Sequence, residues 1–174
     1  MIVVRREKPE DIALIHQINA QAFGREAEAN LVDALRRNGK VTLSLVAEDN
    51  GRVIGHILFS PVTIDPQMIE MPEGSMDGIG LAPMAVAPER QNEGIGSRLV
   101  AEGLRQCREA GHRFMVVLGH ANYYPRFGFA PASRYNVKSE YDVRDEVFMI
   151  RELQQGSLLG IAGTAKYQSE FNEI

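Results

Sequence analysis

The sequence predicts an α/β fold, a single domain on a mixed sheet flanked by helices with a parallel βαβ unit at its centre. Three observations carry this. Ile79 to Val86 is a nearly continuous apolar run bounded by Gly78 and Pro88, the pattern of a strand buried on both faces. Ile95, Leu99, Val100, Leu104 and Cys107 then recur at helical spacing, and Phe114 to Leu118 is a second short apolar run. Strand, helix and strand in succession make a crossover whose two strands run parallel.

In chain order, Ile2 to Arg6 reads as a short strand. Pro9 suits the first turn of a helix, with Glu10 and Asp11 near its positive end. Ile12, Ile15, His16, Ile18, Asn19 and Phe23 trace one helical face up to Gly24. Glu26 to Arg37 is a second helix through Ala27, Leu31, Ala34 and Leu35, closed by Asn38-Gly39. Val41 to Glu48 and Arg52 to Ile64 alternate as strands across Asn50-Gly51, a hairpin turn signal. Pro66 to Ser75 reads as a loop before the central strand. Pro88 cannot donate to a ladder, so that strand stops there, and the following helix runs to about Ala110 and ends at Gly111. Past Phe114 to Leu118, a short helix is expected within His120 to Phe127. Asn136 to Glu146 is charged, Val147 to Leu153 is a late strand, Gly156 to Gly163 is a loop or short strand, and Tyr167 to Phe171 packs back onto the core.

The 174 residues suffice for one domain with a sizeable core, and no linker or repeat divides residues 1–174. A net charge of −4 argues against nucleic acid or an anionic membrane as the main partner. Arg5, Arg6, Glu7 and Lys8 interrupt any leader-like apolar run, and no stretch is long enough to span a bilayer, so a cytoplasmic protein is expected. The single Cys107 cannot form an internal disulfide and reads as packing. His16, His56, His112 and His120 lack metal-ligand spacing, so no metal is expected.

The chemistry starts at Gln91-x-x-Gly94-x-Gly96. Glycines at a helix entrance let the backbone turn tightly and let an anion approach the free N–H groups at the positive end of the dipole. A Walker A loop would need a Lys and Ser or Thr where Ser97 and Arg98 stand; a dinucleotide fingerprint would need a small residue where Leu99 stands. A glycine-rich helix start with no ligand is the plain alternative.

With strand 79–86 before it, Gln91-x-x-Gly94-x-Gly96 resembles the acyl-CoA pyrophosphate loop of the GNAT superfamily of N-acetyltransferases. Tyr124-Pro125-Arg126-Phe127-Gly128-Phe129 resembles the Y-x-K/R-x-G-F stretch which that family carries after its fifth strand. Gly119-His120-Ala121-Asn122-Tyr123-Tyr124 and the segment Glu28 to Arg36 are closest to the bacterial YhbS-like branch. The resemblance covers essentially the whole chain in element order. It implies a mostly antiparallel mixed sheet with a V-shaped acyl-CoA cleft, acetyl-CoA as co-substrate, and a primary amine of a small molecule or peptide as acceptor. Transfer would be direct, in a ternary complex. Main-chain groups of Met84, Ala85 and Val86 would pair with pantetheine, those of Gln91, Asn92, Glu93, Gly94, Ile95, Gly96 and Ser97 would hold the pyrophosphate, and Asn122 would stand in for an Asn at the pantetheine arm. Arg126 and Arg90 are candidates for the CoA 3′-phosphate, or are solvated arginines. Family members often dimerise, which leaves a homodimer open.

Tyr124 would point at the sulfur, where a phenol can protonate the departing thiolate; the alternative is a tyrosine capping the sheet end. An ammonium acceptor must also lose a proton. The resemblance implies that Glu28, at the start of the second helix, stands where the acceptor site begins, with Glu26 a near alternative, though for either one a solvated helix-start carboxylate is the plainer reading. His120 and His56 are further bases, His56 also reading as a packed core residue, and a water relay needs none of them. Met68, Met71 and Met76 would line an acceptor entrance or sit in a surface loop. Without a decisive base, a non-catalytic acyl-CoA-binding regulatory domain is the second reading.

Overall fold

A computed structural model describes residues 1–66 and 77–174, which fall into two compact units. The first comprises Met1–Ser60, Ala82–Arg105 and Ser169–Ile174; the second, Pro61–Leu81 and Gln106–Gln168.

In the first unit, β1 (Ile2–Arg6) pairs antiparallel with β2 (Leu43–Asp49), and β2 with the start of β3 (Arg52–Pro66). Asn50 and Gly51 take φ of 50° and 83°, the two positive values that the expected tight hairpin turn requires. Pro9 opens a 3-10 turn, Pro9–Asp11, whose Asp11 carboxylate accepts the Lys8 N–H at 2.7 Å. Helix α1 (Ile12–Phe23) follows and ends at left-handed Gly24, and α2 (Ala27–Arg37) ends at Asn38. Their inner faces are Ile15, Ile18 and Asn19, then Ala29, Leu31, Val32 and Leu35. Ile12 and Phe23, expected on the inner face of α1, are exposed because they occupy its two ends.

Helix α3 (Ile95–Glu109) buries Ile95, Leu99, Val100 and Leu104. It packs closely on β3 at Gly55, where a Cβ would stand 3.1 Å from Ile95 and 3.2 Å from Leu99. Cys107 is buried as expected, and burial pushes its thiol up to about 12.

The second unit holds the start of β4 (Asp77–Val86), β5 (Phe114–Leu118) and β8 (Phe148–Glu152). As the crossover requires, β4 and β5 are parallel, with Ile79 opposite Met115 and Leu81 opposite Val117; β5 and β8 are antiparallel. The strand order is β1-β2-β3-β4-β5-β8-β6, where β6 is Ala130–Pro131. The end of β3 also pairs with β9 (Gly163–Lys166), which pairs with β7 (Val137–Ser139). This is the expected mixed, mostly antiparallel sheet. Val62, Ile64, Phe114, Val116, Phe148, Ile150, Leu158 and Ile161 form the unit's core.

Three short strands differ from the sequence expectation. β7 lies inside the charged stretch 136–146, and β6 and β9 were not anticipated. Gly156 to Gly163 forms turns until β9 begins. None of the three exceeds four residues, too short to show a period of two. Among the described residues no helix is long and apolar enough to cross a membrane.

Candidate active site

Strand β4 loses its β5 partner after Leu81, so Ala82 to Val86 continues with no rung on β5. Over this stretch burial alternates: Ala85 is buried while Met84 and Val86 are half-buried. The strand ends at Ala87, and Pro88–Arg90 makes a 3-10 turn, as Pro88 dictates. Gln91 Nε2 donates to Val86 O at 3.2 Å, tying the first residue of the glycine motif to the last of the strand.

The chain then reverses through two left-handed residues, Asn92 (φ 65°) and Gly94 (φ 80°). Gly94 serves the turn through its dihedral, since the space around it is open. Gly96, expected to turn tightly, lies inside α3 and takes no positive φ; the second left-handed position is Asn92, which the sequence reading named only among the pyrophosphate-binding residues. Asn is among the few residues that visit this conformation routinely. The first i to i−4 bond of α3 runs from Arg98 N–H to Gly94 O at 3.2 Å, so the amides of Gly94, Ile95 and Gly96 precede the helix's own ladder. An anion placed there would meet N–H groups and the positive end of a fifteen-residue helix. The side chains beside the turn are already paired. Arg90 donates to Glu93 (2.8 Å) and Asp49 (3.1 Å), and Arg98 to Ile2 O (2.7 Å). The amides therefore carry whatever anion recognition this loop has.

In the second unit, β5 leads into Gly119, whose N–H donates to Val147 O at 2.9 Å. His120 O accepts the N–H groups of Tyr123 (3.1 Å) and Tyr124 (3.4 Å), starting the expected short helical segment as a 3-10 turn, Tyr124–Phe127, that ends at left-handed Gly128. Tyr124 is buried, 7% exposed. Its ring meets Tyr123 edge-on at 5.0 Å and Phe129 at 5.8 Å, and a Cβ at Gly119 would run into it. Burial, with Tyr123 adding to it, pushes the Tyr124 phenol up to about 12, so it keeps its proton at neutral pH.

Arg126 Nε donates to Tyr123 O at 3.0 Å, and its guanidinium lies 4.6 Å above the Tyr123 ring. No carboxylate pairs with it among the described residues. His120, Asn122, Tyr123, Arg126, Arg144 and Glu146 line a cleft of about 610 Å³. His120, Asn122, Tyr124 and Arg126 thus stand in one continuous segment, with His120 and Asn122 exposed.

The other candidates lie in the first unit. Glu28 is not a solvated carboxylate: it is buried, and both its oxygens are bound by Arg25, which precedes it by one helical turn. Glu26 is exposed and bound to His16 Nε2 at 2.8 Å. His16 Nδ1 contacts Asp33 at 2.7 Å, a partnership absent from the sequence reading. His56 is wholly buried, between Ser44 Oγ (2.9 Å) and Asn19 Nδ2 (3.1 Å), and burial depresses it to about 4. It is the packed core histidine of the two readings. Met68, Met71 and Met76 lie outside the described residues. Among the described residues no group of three or more His, Cys, Asp or Glu could hold a metal ion.

The model of the acetyltransferase (GNAT) domain matches residues 3–132. The uncharacterized N-acetyltransferase YhbS of Escherichia coli K12 is 34% identical over 174 residues, 99% of this chain and all of that protein. The crystal structure of E. coli YhbS in complex with CoA superposes with a TM-score of 0.89, covering 98% of this chain and 92% of that one. A GNAT family acetyltransferase from Brucella melitensis, crystallised with acetyl-CoA, is 38% identical with a TM-score of 0.78 and covers 98% of each chain. On this sequence likeness, and with the sheet order, the central parallel pair and the turn into α3 in place, the chain belongs to the GNAT family of N-acetyltransferases.

Proposed function

We propose that the chain acts as one catalytic domain that moves the acetyl group of acetyl-CoA directly to a primary amine, of a small molecule or a peptide, in a ternary complex. The observation that carries this is the left-handed turn at Asn92 and Gly94 delivering the chain into α3, which leaves amides ahead of the helix ladder for a pyrophosphate. The CoA and acetyl-CoA in the YhbS and Brucella relatives support the choice of donor.

Main-chain groups of Met84, Ala85 and Val86 take the pantetheine amides, Gln91 to Ser97 hold the pyrophosphate, and Asn122 and Arg126 add contacts to the cofactor. The amine nitrogen attacks the thioester carbonyl carbon, the C–S bond breaks, and the departing sulfur takes the Tyr124 hydroxyl proton. Tyr124 suits this step because burial keeps it protonated at neutral pH. The acceptor first loses its ammonium proton to Glu28 or His120, or to water, and the second proton, released from nitrogen as the amide forms, returns to the Tyr124 oxygen and restores its hydroxyl. The setting is cytoplasmic, and the assembly a monomer or homodimer.

Isothermal titration with acetyl-CoA, followed by CoA-thiol release in the presence of an amine panel, tests the reading. Saturable acetyl-CoA binding and amine-dependent CoA release are expected. Absence of binding overturns it, and binding without release for any amine removes the transfer while keeping the cofactor site.

A further inference from the structure

Two glycines in the second unit, one on β4 and one just past β5, each leave room for a tyrosine ring where a side chain would stand. A Cβ at Gly80 would lie 2.9 Å from Tyr167 Cε1 and 3.3 Å from Cδ1, and one at Gly119 would run into the Tyr124 ring. Gly80 pairs with Val116, one rung before Leu81 and Val117, the last rung before β4 and β5 part. Gly119 follows the end of β5. The Tyr167 ring is therefore laid on β4 at the closed end of the fork between the two strands. It is fixed there by its surroundings. Its N–H donates to Glu140 Oε1 at 3.0 Å, the next residue's Gln168 Nε2 donates to Pro61 O at 2.9 Å, and its ring packs on that of Tyr141 with centroids 6.0 Å apart. The Tyr167 hydroxyl oxygen is shut off from solvent. Burial raises that phenol, and Tyr141, Glu140 and Tyr124 all add to the rise, so the phenols of Tyr167 and Tyr124 stand within electrostatic reach of each other.

On the proposed reading the cofactor runs from the turn at Asn92 and Gly94 back along Val86 and Met84, so its acyl end comes to the Leu81 end of the rung-free stretch. A ring held by its main chain and by its neighbours does not step aside cheaply, and an added methylene pressed against it must displace packed atoms. We propose that the Tyr167 ring closes the acyl end of the cofactor site and restricts the donor to acetyl-CoA. This rests on the acyl-CoA reading and adds to it a residue that selects the acyl group. Selection is by the shape of the ring, so it does not need the Tyr167 hydroxyl.

The test compares acetyl-, propionyl- and butyryl-CoA as donors to one amine, by kcat/KM, and as ligands, by titration calorimetry. In the wild type propionyl-CoA should be used about tenfold less well than acetyl-CoA, and butyryl-CoA less well again. Tyr167→Leu should narrow the acetyl-to-butyryl ratio by about tenfold, whereas Tyr167→Phe, which keeps the ring, should leave it as in the wild type. Tyr167→Met stands in for the leucine variant if that one does not fold. A purely structural role for Tyr167 would lower all three donors alike and leave the ratio unmoved. An unmoved ratio in the leucine or methionine variant overturns the proposal, as does a wild type that uses the three donors equally, or a phenylalanine variant that shifts the ratio as far as leucine does. Acyl-CoAs that bind the wild type in order of length, with that order relaxed by Tyr167→Leu but with no transfer to any amine, would overturn the transfer reading and keep this one. A wild type that binds no acyl-CoA overturns both.

Discussion

Ser44 Oγ lies 2.7 Å from Glu7 Oε1 and 2.9 Å from His56 Nε2, and the Glu7 contact decides which proton goes where. A carboxylate only accepts, so the one Ser44 hydroxyl proton points at Glu7, and Ser44 Oγ must accept from His56 Nε2–H. His56 Nδ1 is then the acceptor for Asn19 Nδ2, which also donates to Ile15 O at 2.9 Å. Arg36 closes the chain by donating to both Glu7 oxygens, at 2.8 and 3.1 Å. Burial works against ionisation of Glu7, but Arg36 and Ser44 outweigh it and hold its carboxyl below the usual range. A neutral imidazole with a defined tautomer thus ties α1, β2, β3 and α2 together inside the first unit.

This arrangement makes stability depend on pH in a stated direction. Burial depresses His56 from 6.5 to about 4. Between those values the unfolded chain binds a proton that the folded chain does not, so stability is complete above pH 6.5 and falls as the pH drops towards 4. The slope is about 1.4 kcal/mol per pH unit. Urea midpoints measured from pH 7 to pH 5 should fall for the wild type and fall less for His56→Gln. Equal slopes would contradict the neutral assignment.

His16 works with the opposite sign. Asp33, against the opposing effect of burial and with help from Glu26, raises it above 6.5. Its stabilising contribution is present below pH 6.5 and is lost as the pH rises through the raised value. His16→Gln should therefore destabilise at pH 6 and cost progressively less towards pH 8.5. A chemical-denaturation series across that range checks this, and a penalty independent of pH would mean that the imidazole contributes only packing.

What the sequence revealed and what it hid divide by contact range. Asn50-Gly51, the run Ile79 to Val86 and the stripe Ile95 to Leu104 announce their structure within a few residues, so the hairpin and the βαβ unit were legible. Arg25 and Glu28 are also local, three residues apart, but the burial of Glu28 depends on how α1 and α2 pack, and no periodicity carries that. His56 gave no sign of its partners because Asn19 and Ser44 reach it from two other elements, α1 and β2, and Glu7 acts on it only through Ser44. The turn at Asn92 was not legible because a left-handed backbone leaves only a weak residue preference there, whereas Gly94, two residues on, is conspicuous.

Tyr124→Phe separates proton donation from packing. The ring keeps its contacts with Tyr123 and Phe129, which do not involve the hydroxyl, so the fold and acetyl-CoA affinity should be preserved. Turnover should fall by about two orders of magnitude, the lower end for loss of a general acid, because a thiolate leaves readily even unprotonated. Steady-state kinetics at several pH values check this. A variant with unchanged kcat and weakened acetyl-CoA binding would make Tyr124 a cofactor contact.

Arg126 is held over the Tyr123 ring by that contact and by the bond from Nε to Tyr123 O, and its terminal N–H groups have no carboxylate among the described residues. A guanidinium fixed in this way loses little conformational freedom on binding an oxyanion and can offer two parallel donors. Arg90 lacks that freedom, being bound to Asp49 and Glu93. If Arg126 meets the CoA 3′-phosphate, wild type should bind acetyl-CoA about tenfold more tightly than its 3′-dephospho analogue. Arg126→Gln should erase that difference by weakening only the phosphorylated form, and Arg90→Gln should leave it intact. Titration calorimetry with both cofactors measures all three proteins. The same preference for the 3′-phosphate in wild type and Arg126→Gln would show that the guanidinium serves Tyr123 alone.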